Sequence, residues 1–572
     1  MTGTFMEFRA GRYHSGVDLR TQGREGLKVV ACAPGSVVRL RTSATGYGIA
    51  VYLRLEDGRE LVFAHLSALA DRLRTPLLAA WSASGRYEQD LQLSKNAIAV
   101  QGGELLALSG STGVGAPHLH LELRDAAERP LNPLTHGLSL PDSVAPRILA
   151  ARLVPLSPGA RVQGQRRAYV LAPGESVAAA GSLGVMVALD DRSGFAPFHL
   201  GPAEVRVKLN GREIYHLRND SFAFSMTDQM RLERARDPLD PQRTWLRLYR
   251  RPGNELPGRS ALGPEGMSFS IDAQEEATLE LSARDAAGNE GSAEFTLRGE
   301  ASTPLDSSAT AAWIPYAAEG ADAPPPGRGI VGGAGGGQTL ACALDHQDSL
   351  WVGDPSGRAL YPGGVVWLEP QTERLPNPSG MRISGPSCAL KAAGAVFREG
   401  LQVRVRASGV APSGQYALFR LGANRRWKFV AGPLDSSGVV LGTVSGPGIL
   451  ALGRDRSAPQ LGSFVAGTKN LHSGSKLAAL SASARQAAQG MTLPRWPAVG
   501  IAVVDEGAGI SDPGPSALLD GAPYPARWDP EGRRLVFEFW LDPGAGEHRL
   551  TVRAQDRVGN SSSREIRLHF GS

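Results

Sequence analysis

Two stretches of this chain, LELSARDAAGNEGSAEFTL at 279–297 and LTVRAQDRVGNSSSREIRL at 550–568, follow one pattern. Each alternates apolar and polar residues, breaks at D-x-x-G-N, and resumes the alternation. Alternation places successive side chains on opposite faces of a strand. Gly and Asn in the break suit positive φ. Each stretch therefore predicts strand, tight turn, strand. The landmarks upstream also recur in order: AP at 145–146 and 458–459, then LNG at 209–211 and LLDG at 518–521. Such a repeat predicts two copies of one β domain.

The intervening and preceding sequence carries the same texture. Residues 338–455 contain short candidate strands such as VVWLEP, LQVRVRAS, QYALFRL and GILALG, which predict a further β-sandwich. Trp351, Trp367, Trp427 and Trp496 are expected to pack in cores. Residues 300–337, with DAPPPGRG and GGAGGG, read as a linker. The first 140 residues alternate through LKVVACAPGSVVRL, GIAVYLRLEDGRELVFAHL, ELLALSGS and HLHLELRD, as an antiparallel β domain does. Residues 66–92 are the main helical or irregular insertion, and LNPLTHGLSLPDSVAP marks the domain exit. The chain divides into 1–140, 141–299, 300–337, 338–455 and 456–572. The 70 Gly and 40 Pro fit a mostly β protein with many turns.

Charge excludes some partners. A net charge of +5 over this length is weak, and no Lys/Arg-rich run exists, so nucleic acid is not expected. No stretch of eighteen apolar residues occurs, so no helical membrane span is encoded. No leader pattern is visible at the N-terminus, and localisation has to follow from function. Of three Cys, Cys342 and Cys388 share one domain. They are a disulfide in an oxidising compartment or two buried thiols. No CxxC spacing points to a cysteine metal site.

The chemistry concentrates in the first quarter. In HLHLE, His118 and His120 fall on one face of a strand, with Leu119 and Leu121 on the other. Two such imidazoles suit one metal ligand and one base, or two ligands. RYHSGVDL adds His14 and Asp18 as H-x-x-x-D, with Gly16 allowing a turn between them. Carboxylate and imidazole suit Zn²⁺. Three protein ligands would leave a fourth position for water, the arrangement of a catalytic site. His65, in LVFAHLS, offers a further imidazole. The other His (136, 199, 216, 346, 472, 548 and 569) are scattered and read as surface or structural.

The order H-x-x-x-D, A-H-L-S, then G-x-x-G-x-x-x-P-H-L-H-x-E resembles the lysostaphin-type (LytM-like) zinc metalloendopeptidases, which cut peptide bonds in bacterial peptidoglycan. VVACAPGSVVRL, TGYGIAVYLRLEDGRELVFAHLS, GGELLALSGSTG and LRDAAERPLNPL resemble supporting segments of that family, so the likeness covers about residues 5–135. The D-x-x-G-N hairpins resemble bacterial immunoglobulin-like domains.

These resemblances imply an antiparallel peptidase domain of the duplicated-hybrid-motif type followed by immunoglobulin-like sandwiches. They imply one zinc per chain on His14, Asp18 and His120, with His118 as general base. His65 would orient water or stabilise the oxyanion. Phe63 stands where relatives usually have Tyr, at a packing position. The long stretch between His65 and His118 is expected to form one wall of the groove. Peptidoglycan is the expected substrate, which implies the periplasm, the cell envelope or secretion. The tail domains are expected to be spacers or to bind an envelope protein or glycan. The alternative is a non-catalytic cell-wall-binding or regulatory protein using the same groove.

Overall fold

The structure, a computed structural model, describes residues 1–571 except 10, 114, 140, 194–198, 238–239, 241–242, 262–267, 302–328, 344–348, 372–374, 378–379, 408–414 and 481–490. Among the described residues the protein is mostly β, built of sheets whose strand pairs are mainly antiparallel.

The N-terminal sheet runs in the order Pro130–Leu131, His118–Arg124, Glu60–Leu69, Ile49–Leu55, Gly35–Thr42, Gln89–Gln92. Val17–Arg20 also pairs with His118–Arg124, setting Asp18 opposite His120. Alternation decides what each face does. Leu121 and Leu123 enter the core with Val51, Leu53 and Phe63, while His118, His120, Glu122 and Arg124 share the other face. Gly16 is needed for close approach rather than for a turn: a Cβ there would lie 2.2 Å from the Leu121 carbonyl oxygen.

The insertion after His65 continues its strand to Leu69 and then forms the helix Asp71–Ser84. Its buried residues Leu73, Leu77 and Trp81 stand four apart, which is one helical stripe, and pack into the core. The expectation that this stretch walls the groove is therefore corrected, because its helix is occupied with the core on the far side of the sheet.

The first sandwich pairs a sheet around Arg147–Pro155 and Leu183–Arg192 with one around Glu276–Arg284 and Glu290–Gly299. The last sandwich repeats this layout. Ser176–Ala180 runs parallel to Glu290–Gly299, and Ser475–Leu477 runs parallel to Ser561–Phe570. The hairpin turns match too. Asn210 and Gly211 have φ of 50° and 77°, and Asp520 and Gly521 have 51° and 86°. Both central residues at positive φ define the two-residue turn that suits strand twist.

Between these lies the third sandwich, whose two sheets are joined by the Cys342–Cys388 disulfide. Most of the stretch read as linker falls outside the described residues. Ile330–Val331, within it, pairs with Val365–Val366 of this sandwich. Trp367 and Trp496 are buried, whereas Trp351 and Trp427 are half-buried. The last sandwich folds back onto the N-terminal domain. Thr492 donates its N–H to Asp71 at 3.0 Å, and Arg74 stacks over Trp540 at 5.4 Å.

Candidate metal centre and active-site groove

Three atoms converge where the strands Val17–Arg20 and His118–Arg124 meet. His14 Nε2, Asp18 Oδ1 and His120 Nδ1 stand 3.0 Å from one another, and all three residues are buried. Asp18 and His120 face each other by strand register, and His14 arrives from the turn just before.

Each of the three side chains is held from behind. His14 donates Nδ1–H to the Thr4 carbonyl at 2.7 Å, leaving Nε2 toward the triangle. His120 turns Nε2–H to Glu122 Oε1 at 3.0 Å, leaving Nδ1 toward the triangle. Asp18 takes Arg9 Nη2 on its other oxygen at 2.7 Å. Glu122 is fully buried and also accepts from Tyr47 at 2.7 Å, from Arg124 Nε at 2.7 Å and from Ser15.

Burial would raise the Asp18 carboxyl, but its contacts with His120 and His14 outweigh it and hold it well below the carboxylate range. Burial, helped by the charges of His120 and Arg9, lowers His14 against the pull of Asp18. For His120, burial is overcome by Asp18 and Glu122, which raise it to about 9. Glu122, despite burial, is held down to about 2 by His120 and Arg124. A cation in the triangle would replace the Nδ1 proton of His120.

The other two histidines stand beside the triangle. His118 donates Nδ1–H to the Ala116 carbonyl at 2.8 Å, and its Nε2 lies 3.5 Å from Asp18 Oδ1. His65, at φ 60°, donates Nδ1–H to the Thr112 carbonyl at 3.0 Å. Their ring centres are 4.7 Å apart. Burial, then the neighbouring His120 and His118, lower His65 to about 3. It is neutral at ordinary pH, with a bare Nε2.

All five sequence-predicted residues therefore line one groove of about 310 Å³. His346 lies outside the described residues, and the other scattered histidines do not line it. The H-L-H-x-E motif contains Glu122 but gave it no role, and Arg124 was missed, although their place two and four residues beyond His120 put them on its face. Sequence reasoning also missed Phe224 and Thr227, which reach the groove from the first sandwich. Tyr13 donates its N–H to Thr227 Oγ1 at 3.1 Å across that boundary. Beneath it, Tyr13 donates to Glu233, which forms a buried ion pair with Arg259.

No family model matches the chain. The DD-carboxypeptidase/endopeptidases Mpg of Neisseria meningitidis serogroup B and Neisseria gonorrhoeae are each 33% identical over 132 residues, 23% of this chain. That match spans only 24% of those relatives' own length. Among solved structures, the chain is similar to the catalytic domain of a prophage-encoded M23 protein from Enterococcus faecalis. That likeness has 23% identity and a TM-score of 0.17, covering 23% of this chain and 84% of that one. The curated relatives, set beside the histidine site, support a LytM-like peptidase domain followed by β domains.

Proposed function

We propose that this protein is a zinc-dependent endopeptidase acting on the peptide cross-links of bacterial peptidoglycan. The observation that carries the reading is the His14–Asp18–His120 triangle with His118 and His65 at its open side. Two nitrogens and one carboxylate oxygen suit zinc. Tetrahedral bonds of about 2.0–2.2 Å separate ligand atoms by about 3.4 Å, so edges of 3.0 Å need only a few tenths of an ångström of outward movement. The hydrogen bonds behind His14 and His120 select the tautomers a metal requires.

Zinc in this place supplies a Lewis acid and lowers the pKa of water beside it toward about 7. The remaining steps belong to side chains. His118, held by Ala116, takes a proton at Nε2 as water attacks the scissile carbonyl. The same nitrogen then returns that proton to the leaving amine. His65 is neutral and accepts, so it orients the water rather than donating to the oxyanion. The walls from Arg12, Tyr13 and Phe224 hold the peptide on either side of the bond.

A peptidoglycan substrate places the protein outside the cytoplasm, in the periplasm, envelope or medium. The Cys342–Cys388 disulfide supports an oxidising compartment. The tail sandwiches are read as spacers or as contacts for an envelope protein or glycan.

The test pairs zinc content by elemental analysis with release of new amino termini from purified peptidoglycan. Wild type is expected to hold one zinc and to cleave. His120→Ala should lose both, and His118→Ala should keep zinc and lose cleavage. Wild type that binds zinc but releases no termini would favour a wall-binding protein using this groove. Absence of zinc after reconstitution would overturn the metal centre itself.

A further inference from the structure

In the third sandwich, Leu450 and Leu452 of the strand Gly448–Asp455 and Leu418 of the strand Tyr416–Leu421 fill the core. Two residues further along each strand, the same faces carry Arg454 and Tyr416. Register sets Arg454 opposite Tyr416 on one side and opposite Arg382, of the strand Met381–Ala393, on the other. One rung across three strands therefore reads Arg382, Arg454, Tyr416, where an apolar rung would extend the core. Arg456 follows two residues beyond Arg454, just past the strand end.

Like charges directly opposite in a ladder destabilise it. No carboxylate answers these. The guanidinium groups of Arg382, Arg454 and Arg456 have no hydrogen-bond or ion-pair partner among the described residues. Arg454 lies over the Tyr416 ring at 5.1 Å, and its Nε is buried without an acceptor among those residues. A buried donor left unanswered is costly. The three arginines and Tyr416, with Met381 and Ile383, line a cleft of about 580 Å³.

We infer that Arg382, Arg454 and Arg456 bind the carboxylate or phosphate of an acidic saccharide. Guanidinium forks match both oxyanions through paired hydrogen bonds. Such an oxygen supplies the acceptor that Arg454 Nε lacks. The cleft is far larger than a lone oxyanion fills, and its size is that of a small-molecule site. Beside the charges it offers the Tyr416 phenol and the apolar Met381 and Ile383, a mixture that suits a ring bearing hydroxyl groups on a carbon frame. The site belongs to the third sandwich alone, so it stands whether or not the N-terminal groove cleaves peptidoglycan.

The test titrates sodium glucuronate, glucose 6-phosphate, glucose and inorganic phosphate separately into the full chain by calorimetry. At least one acidic sugar is expected to bind, with glucose and inorganic phosphate weaker by about tenfold or more. Arg454→Gln should weaken the acidic sugar by about tenfold or more. Arg382→Gln, at an exposed position, is the second variant and should do the same. Inorganic phosphate binding as tightly as the acidic sugars would overturn the saccharide. Heats absent for both acidic sugars, or affinities unchanged in whichever variants fold, would overturn the site.

Discussion

His120 donates its Nε2–H to Glu122 at 3.0 Å, and Glu122 is itself clamped by Arg124 at 2.7 Å. In the proposed zinc centre, that chain would make the Glu122 carboxylate the orienting partner of the ligand His120. Glu122→Gln preserves the acceptor and removes the charge, so the ring stays in place but becomes a weaker donor to the metal. Zinc affinity, measured by competition with a chromophoric chelator, is expected to fall by about 10- to 100-fold. An unchanged affinity would mean that Glu122 only packs.

His118 and His65 can be separated kinetically. His118→Ala should lower kcat by about 10²–10⁴-fold with zinc retained, because the proton acceptor is gone. His65→Ala should cost less, since its neutral ring orients water and transfers no proton in this scheme. A larger loss for His65→Ala than for His118→Ala would reverse the two roles.

Two pairs of site residues were readable from local spacing, whereas their union with His65 in one site was implied by the family resemblance. His118 and His120 share a face by the period of a strand, and His14 and Asp18 are four residues apart. Glu122 and Arg124 obey the same period and were readable in principle. The strand–turn–strand repeat was legible for a similar reason, since D-x-x-G-N specifies a turn within five residues. Phe224 and Thr227 were not legible. Their position depends on how one domain docks on another, which no local pattern encodes. The helix Asp71–Ser84 falls within the insertion expected at 66–92, but its Leu73, Leu77 and Trp81 stripe packs it on the core rather than on the groove.

Phe224 tests that docking. Its ring is 41% exposed, lines the groove, and carries the Arg124 guanidinium at 4.8 Å. Phe224→Ala should raise KM for a peptide long enough to reach this wall by up to about tenfold, or 1.4 kcal/mol. A substrate spanning only the scissile bond should be hardly affected. Equal effects on both substrates would place Phe224 in catalysis or stability instead.

The Cys342–Cys388 disulfide closes a separation of 46 residues between two sheets. Chain entropy for such a loop amounts to about 4 kcal/mol in the unfolded state. Cys342→Ala/Cys388→Ala should lower the denaturant midpoint of the third sandwich while leaving zinc content intact. A midpoint equal to that of the oxidised wild type would show that the disulfide does not stabilise the domain.

Glu233 and Arg259 form an ion pair in which the side chains are 2% and 1% exposed, and Tyr13 adds a hydrogen bond to the same carboxylate. Burial raises the Glu233 carboxyl, but the Arg259 charge and hydrogen bonds outweigh it, so its folded pKa lies below the ordinary value. The sign follows from that direction. Stability from this carboxylate is fully present above about pH 4.3, its unfolded value, and is lost as pH falls through the lower folded value. Glu233→Gln leaves Arg259 buried without its anion and should cost about 3–5 kcal/mol near neutral pH. The gap between wild type and variant, measured by urea unfolding, should narrow as pH drops from 5 toward 3. Because Tyr13 links this pair to the groove wall, the variant should also lose turnover at neutral pH before it unfolds. A gap independent of pH would remove Glu233 as the titrating group and leave the pair a packing contact alone.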